Sequence, residues 1–324
     1  MRSYLLVALG WALVLLVVAD VFRTVLWSSQ GAGPLTATIT AVGRRLLPHL
    51  PGRRRAASAV GPLALLVIVA AWSSLLLVGF TLVLQGDPDA IRTSATNQPV
   101  DWFERAWFVG YSLFTLGNGD LAPVTDAGRL LAVAISATGL FLLTLSVTYL
   151  LPVISASVAS RSFAASAGSL GDDPQDIVLG AWDGDRVQLD HQLRELSSSL
   201  GLLAEQQLAY PVLHLFRSSD PTTSAPLAVA DLDDLLTVLD GIDQRAAPLA
   251  TPRRQLRAAI DTYVSTYGTE VAPNGAPAAP RTDRLADAGV PLLDRQTYEH
   301  TLDELAEHRA RVHGLVRADG VDRS

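Results

Sequence analysis

Three apolar stretches, each long enough to cross a bilayer as a helix, constrain this chain more than any other feature of it. A helix rises about 1.5 Å per residue and the hydrocarbon core is roughly 30 Å thick, so about 20 apolar residues suffice. Tyr4 to Trp27 is the first stretch, Val60 to Leu84 the second and Arg129 to Ile154 the third. The first reads as a retained span, with a cleaved signal peptide as the alternative. Only Arg2 precedes it, and no small-x-small site follows it. The expected class is all-α: three transmembrane helices and a helical soluble part.

Composition sharpens this division. The chain is 49% hydrophobic and 18% charged, which fits a membrane protein carrying a soluble domain. Residues 1–155 hold 10 arginines and seven acids, whereas residues 156–324 hold 15 arginines and 25 acids. The acidic half argues against nucleic-acid binding. With no cysteine and no lysine, disulfides, thiolate chemistry, Schiff bases and a P-loop lysine are all excluded. No GxGxxG run occurs in the second half, so a dinucleotide-binding regulatory domain is not expected.

Between the first two spans, Ser28 to Ala57 carries Arg44, Arg45, Arg53, Arg54 and Arg55 and no acid. Short arginine-rich loops stay in the cytoplasm. This predicts an outside N-terminus, an outside segment Gln85 to Val100 and a cytoplasmic C-terminal half in a plasma membrane. The same arginines could contact anionic lipid or serve only as a topology signal. Leu35, Ile39, Val42 and Leu46 fall at helical spacing, so Pro34 to Leu47 is expected to be a helix in the interface plane.

Asp101 to Phe114 is apolar and aromatic but too short to cross, which suggests a re-entrant helix. Asp101 and Glu104 stand at capping-box spacing at its start. TLGNGD, Thr115 to Asp120, follows directly. Non-helical backbone at membrane depth must be satisfied by protein, water or ions. A Thr-x-Gly-x-Gly run does this when several copies surround one axis and their carbonyls replace an ion's hydration shell. Gly117 and Gly119 would supply backbone angles that a Cβ forbids, and Asp120 would gather cations at the mouth. The plain alternative is an extracellular turn beside a surface helix.

In this order, residues 60–155 resemble the pore module of the potassium channel family: outer helix, pore helix, filter, inner helix. TLGNGD stands where that family usually has TVGYGD. The resemblance implies a selectivity filter of Thr115, Leu116, Gly117, Asn118, Gly119 and Asp120. It also implies bracing by the pore-helix pair Trp107 and Phe108, a gating hinge at Gly139 and permeant potassium, with no other cofactor. One pore loop per chain implies a homotetramer. Asn118 replaces the family's filter tyrosine, and Phe114 the threonine before the motif. Both departures bear on potassium over sodium selectivity.

Three further features complete the reading. Asp20 and Arg23 lie three apart near the inner end of the first span, and a local ion pair is expected with Arg23 reaching the headgroups. Leu189, Leu193, Leu196, Leu200 and Leu203 form one apolar helix face, either for tetramerisation or for a bundle within the chain. His300, Glu304 and His308 share a helix face that is expected to be solvated rather than metal-binding. Helices are also expected over Leu227–Ile242, after Thr251-Pro252 and over Leu292–Val316, with a Pro/Ala linker at 269–282. The domains read as 1–57, 58–155 and 156–324. A cation channel subunit is the first reading, a non-conducting membrane sensor or scaffold the second, and an enzyme has no motif behind it.

Overall fold

A computed structural model describes residues 2–27, 31–47, 54–183, 186–243, 250–267 and 277–320. Among them the chain is helical apart from one two-stranded antiparallel sheet. In order come α1 (Arg2–Val25), α2 (Pro34–Leu46), α3 (Arg54–Leu84), β1 (Ile91–Thr93), α4 (Trp102–Leu113), β2 (Leu121–Pro123) and α5 (Asp126–Gly168). Then follow α6 (Pro174–Asp183), α7 (Arg186–Ala209), α8 (Ala225–Asp240), α9 (Ala250–Ser265), α10 (Asp283–Asp287) and α11 (Arg295–Ala318). Helices α1, α3 and α5 are long and apolar enough to cross a membrane. Arg53 and most of the expected Pro/Ala linker lie outside the described residues.

The chain divides into two compact units. The first comprises 1–46, 62–153 and 209–212, and the second 47–61, 154–208 and 213–324. Helix α5 belongs to both in turn. It was expected to end near Ile154, but it continues unbroken for 43 residues through Pro152, about 65 Å at the usual rise.

In the first unit, α1 packs closely on α3. A Cβ at Gly10 would lie 2.6 Å from the Gly79 carbonyl oxygen, so the two glycines allow backbone contact, as small residues do between membrane helices. Trp11 and Phe80 meet edge-on beside them.

The expected Asp20–Arg23 ion pair is replaced by a different arrangement. Asp20 is fully buried. Its Oδ1 accepts the Leu35 amide at 2.7 Å. Its Oδ2 accepts the Thr36 hydroxyl at 2.8 Å, the Thr36 amide at 3.3 Å and the Trp72 indole N–H at 2.8 Å. Arg23 is exposed. The physical reason lies in the N-terminus of α2. Its first amides have no partner within the helix, and its dipole favours an anion there. One carboxylate therefore ties α1, α2 and α3 together.

In the second unit, Leu189, Leu193, Leu196, Leu200 and Leu203 are all buried in a core shared with α8, α9 and α11. The leucine face thus fills a bundle within the chain. Helices α6 and α10 had no sequence expectation; both are short, and they join through Gln175, whose side chain accepts the Arg284 amide at 2.9 Å.

The expected solvated face on α11 is only partly so. His300 and Glu304 are exposed, but His308 is 14% exposed and sits between two carboxylates. Its Nε2 meets Asp233 of α8 at 2.9 Å and its Nδ1 meets Asp261 of α9 at 2.8 Å. Arg257 also holds Asp233, at 3.0 Å. Among the described residues no group of three or more side chains could hold a metal.

With a carboxylate at each ring nitrogen, His308 satisfies both only as the imidazolium. Burial pulls its pKa down, while the hydrogen bond to Asp233 and the charges of Asp233 and Asp261 push it up, against Arg257; the net direction is up. A raised folded-state pKa contributes stability that is full below the ordinary histidine value of about 6.5 and is lost as pH rises through the folded value. The thermal midpoint of the wild type should therefore exceed that of His308→Gln most at mildly acid pH, and the gap should shrink toward alkaline pH. A gap that does not change with pH would contradict the assignment.

Asp20→Ala should lower the thermal midpoint in detergent more than any exposed α1 substitution. It leaves the Trp72 N–H and two α2 amides buried without an acceptor, at about 1–3 kcal/mol for each unsatisfied group. Asp20→Asn should fall between, since an amide offers one acceptor oxygen where the carboxylate offers two. An unchanged midpoint in Asp20→Ala would remove the anchoring role.

Candidate pore loop

The loop is positioned from the start of α4. Asp101 Oδ1 accepts the Glu104 amide and Glu104 Oε2 accepts the Asp101 amide, both at 2.8 Å, so the capping box is closed as the sequence indicates. From the next turn, Arg105 reaches the Gln85 side chain at 2.6 Å and the Val100 carbonyl at 3.0 Å. These bonds tie the start of the pore helix to the end of α3.

The far end of α4 closes in a Schellman pattern. The Thr115 amide donates to the Ser112 carbonyl at 3.1 Å and the Leu116 amide to the Tyr111 carbonyl at 2.8 Å. This pattern places the residue after the cap in the left-handed region. Here that residue is Thr115, at φ 55°, a β-branched side chain where glycine is usual and strain is expected. Of the two loop glycines, Gly117 has positive φ, at 65°. Gly119 does not share this conformation, so the expectation of special backbone angles holds at one glycine.

Thr115, Leu116, Gly117, Gly119 and Asp120 are exposed on the chain and Asn118 is half-buried. Asn118 Oδ1 accepts the Asp120 amide at 3.3 Å, a local turn. Beyond the loop, β1 and β2 pair with Ile91 opposite Pro123, Arg92 opposite Ala122 and Thr93 opposite Leu121. Ser94, just past β1, donates its hydroxyl to the Gly119 carbonyl at 2.7 Å and its amide to the Asp120 carbonyl at 2.9 Å.

Trp107 and Phe108 both pack edge-on against Tyr111, with ring centroids 6.4 and 5.3 Å apart. The Tyr111 hydroxyl donates to the Leu121 carbonyl at 3.0 Å. The pore-helix aromatics thus connect to the end of the loop through Tyr111. Tyr111 was legible as one of the helix aromatics but not as a loop contact. Ser94 had no sequence signal beyond lying in a polar segment, because its pairing depends on how β1 and β2 align.

Gly139 lies within the continuous helix α5, and a Cβ there would overlap the Leu113 carbonyl at the end of the pore helix. Close approach is sufficient reason for glycine at this position. Arg44 and Arg45 stand in the last turn of α2, where positive charge complements the helix dipole. Arg54 and Arg55 begin α3.

A family model described as "Ion channel" matches residues 63–156. The uncharacterized membrane protein YdjJ of Bacillus subtilis (strain 168) is 36% identical over 304 residues, covering 92% of this chain and 89% of that protein. No solved structure matches.

Gly139→Ala should destabilise the protein, by about 1–3 kcal/mol as overpacked sites do. Its methyl must displace backbone at the base of the loop rather than a pliable side chain. Thermal unfolding in detergent measures this. A fully stable Gly139→Ala protein would show that α5 and α4 do not meet this closely.

Proposed function

The chain belongs to the family of membrane proteins that carry a two-span pore-loop ion-channel module, and we propose that it is a subunit of a homotetrameric, potassium-conducting cation channel. The observation that carries this reading is the order α3, α4, TLGNGD loop, α5, with the C-terminal end of the short pore helix directed into the loop. A helix C-terminus presents partial negative charge, which favours a cation. Four loops around one axis would offer rings of carbonyls from Thr115 to Asn118, with Asp120 at the mouth. Fourfold closure also gives a role to Leu116 and Gly119, which are exposed on a single chain.

The arginines of the segment between α1 and α3 support a cytoplasmic position for it. On that basis the N-terminus lies outside, the second unit lies in the cytoplasm, and the membrane is the plasma membrane. Anionic headgroups are the natural partners of Arg44, Arg45, Arg54 and Arg55. Gly139, in α5, is the position at which the inner helix would bend on opening, and its packing against Leu113 would link that bend to the base of the filter.

Reversal potentials test the central claim. Purified protein in liposomes should carry potassium current under a potassium gradient, with little anion current. Absence of flux from intact tetramers would overturn the channel reading in favour of the assembly-scaffold reading, which Asn118 within the motif and Phe114 just before it favour. Asp120→Asn should lower single-channel conductance severalfold at low ionic strength, and the difference should vanish at high salt, where surface charge is screened. Equal conductance at low salt would remove Asp120 from the mouth.

A further inference from the structure

Building on the channel reading, we propose that Ser94 is the residue that positions the outer end of the filter. A filter discriminates between ions only while its carbonyls are held at a set spacing and field strength. Asn118 spends its side-chain oxygen on the amide two residues ahead, within the same loop. It therefore provides no tie between the loop and the rest of the protein through that atom. Ser94 makes such a tie twice over, and from a different element.

Its hydroxyl reaches the Gly119 carbonyl at 2.7 Å and its amide the Asp120 carbonyl at 2.9 Å. These are consecutive carbonyls, so the pair of bonds orients two successive peptides, Gly119–Asp120 and Asp120–Leu121. Ser94 is itself held by the sheet. Thr93, its neighbour, pairs with Leu121 in register. The Thr93 amide donates to the Gln98 carbonyl at 3.1 Å and the Asn97 amide to the Thr93 carbonyl at 2.9 Å, closing the turn that follows. Asn97 takes positive φ, 54°, in that turn. The β1 turn thus acts as a fixed bracket outside the membrane-spanning helices. With the Gly119 oxygen engaged by Ser94, the carbonyls left to face an ion are those from Thr115 to Asn118.

The test compares Ser94→Ala, Ser94→Thr and Ser94→Val in liposomes under bi-ionic potassium and sodium conditions. Ser94→Ala removes only the hydroxyl bond. It should lower the potassium-to-sodium permeability ratio about five- to tenfold, about 1–1.4 kcal/mol, with cation-over-anion selectivity and tetramer yield retained. Ser94→Thr keeps the hydroxyl and should keep the ratio. Ser94→Val, equal in size to Thr, should lose it. If Ser94→Ala does not assemble, the Thr and Val pair decides. Ratios within twofold of wild type in Ala and Val overturn the proposal and leave the channel reading standing. So does a wild type that conducts without preferring potassium. A wild type that carries no cation flux overturns the channel reading itself, and the filter bracket with it.

Discussion

Backbone polar groups that lie at membrane depth must find partners inside the protein, and the first unit is organised around that requirement. Long helices meet it by themselves. The exceptions are the helix ends and the loop, and each exception has a specific answer. The start of α4 is closed by Asp101 and Glu104, its end by the Schellman bonds at Thr115 and Leu116, and the loop's outer carbonyls by Ser94 and Tyr111. On the channel proposal, the loop's remaining carbonyls are the groups that an ion would serve.

The same requirement explains the Asp20 cluster. A carboxylate buried among apolar helices would be costly alone. Here it accepts four donors, two of them amides that α2 cannot satisfy within its own first turn. The Trp72 indole that completes the set also lies near Tyr149 of α5, whose ring in turn meets Tyr210. A polar anchor and an aromatic stack therefore run from α1 through α3 to α5. The Tyr149 hydroxyl is buried in that stack with no hydrogen-bond partner among the described residues.

The second unit follows a different logic, that of a helical bundle with a buried apolar core. Its core is mainly leucine, valine and alanine, and its helices α8, α9 and α11 are joined by charges at the edge of that core. Arg253 and Arg257 share Asp240, Arg257 and His308 share Asp233, and Arg309 holds Asp234 at 3.0 Å.

Sequence alone determined the three helices long and apolar enough to span a membrane, the short aromatic helix with its capping box, the place of the TLGNGD loop and the helical nature of the acidic half. Each of these is written in local spacing or in apolar length, which physics reads without knowing the fold. Tertiary structure decided which groups meet. It turned Asp20 from a neighbour of Arg23 into the cap of α2, and it took His308 out of a solvated face and set it between Asp233 and Asp261. It put the Gly139 backbone against Leu113, and it brought Ser94 to Gly119 across 25 residues of chain. Hydrogen bonds between distant segments depend on register and helix packing, which local pattern does not encode, and so these contacts were legible only once the chain was folded.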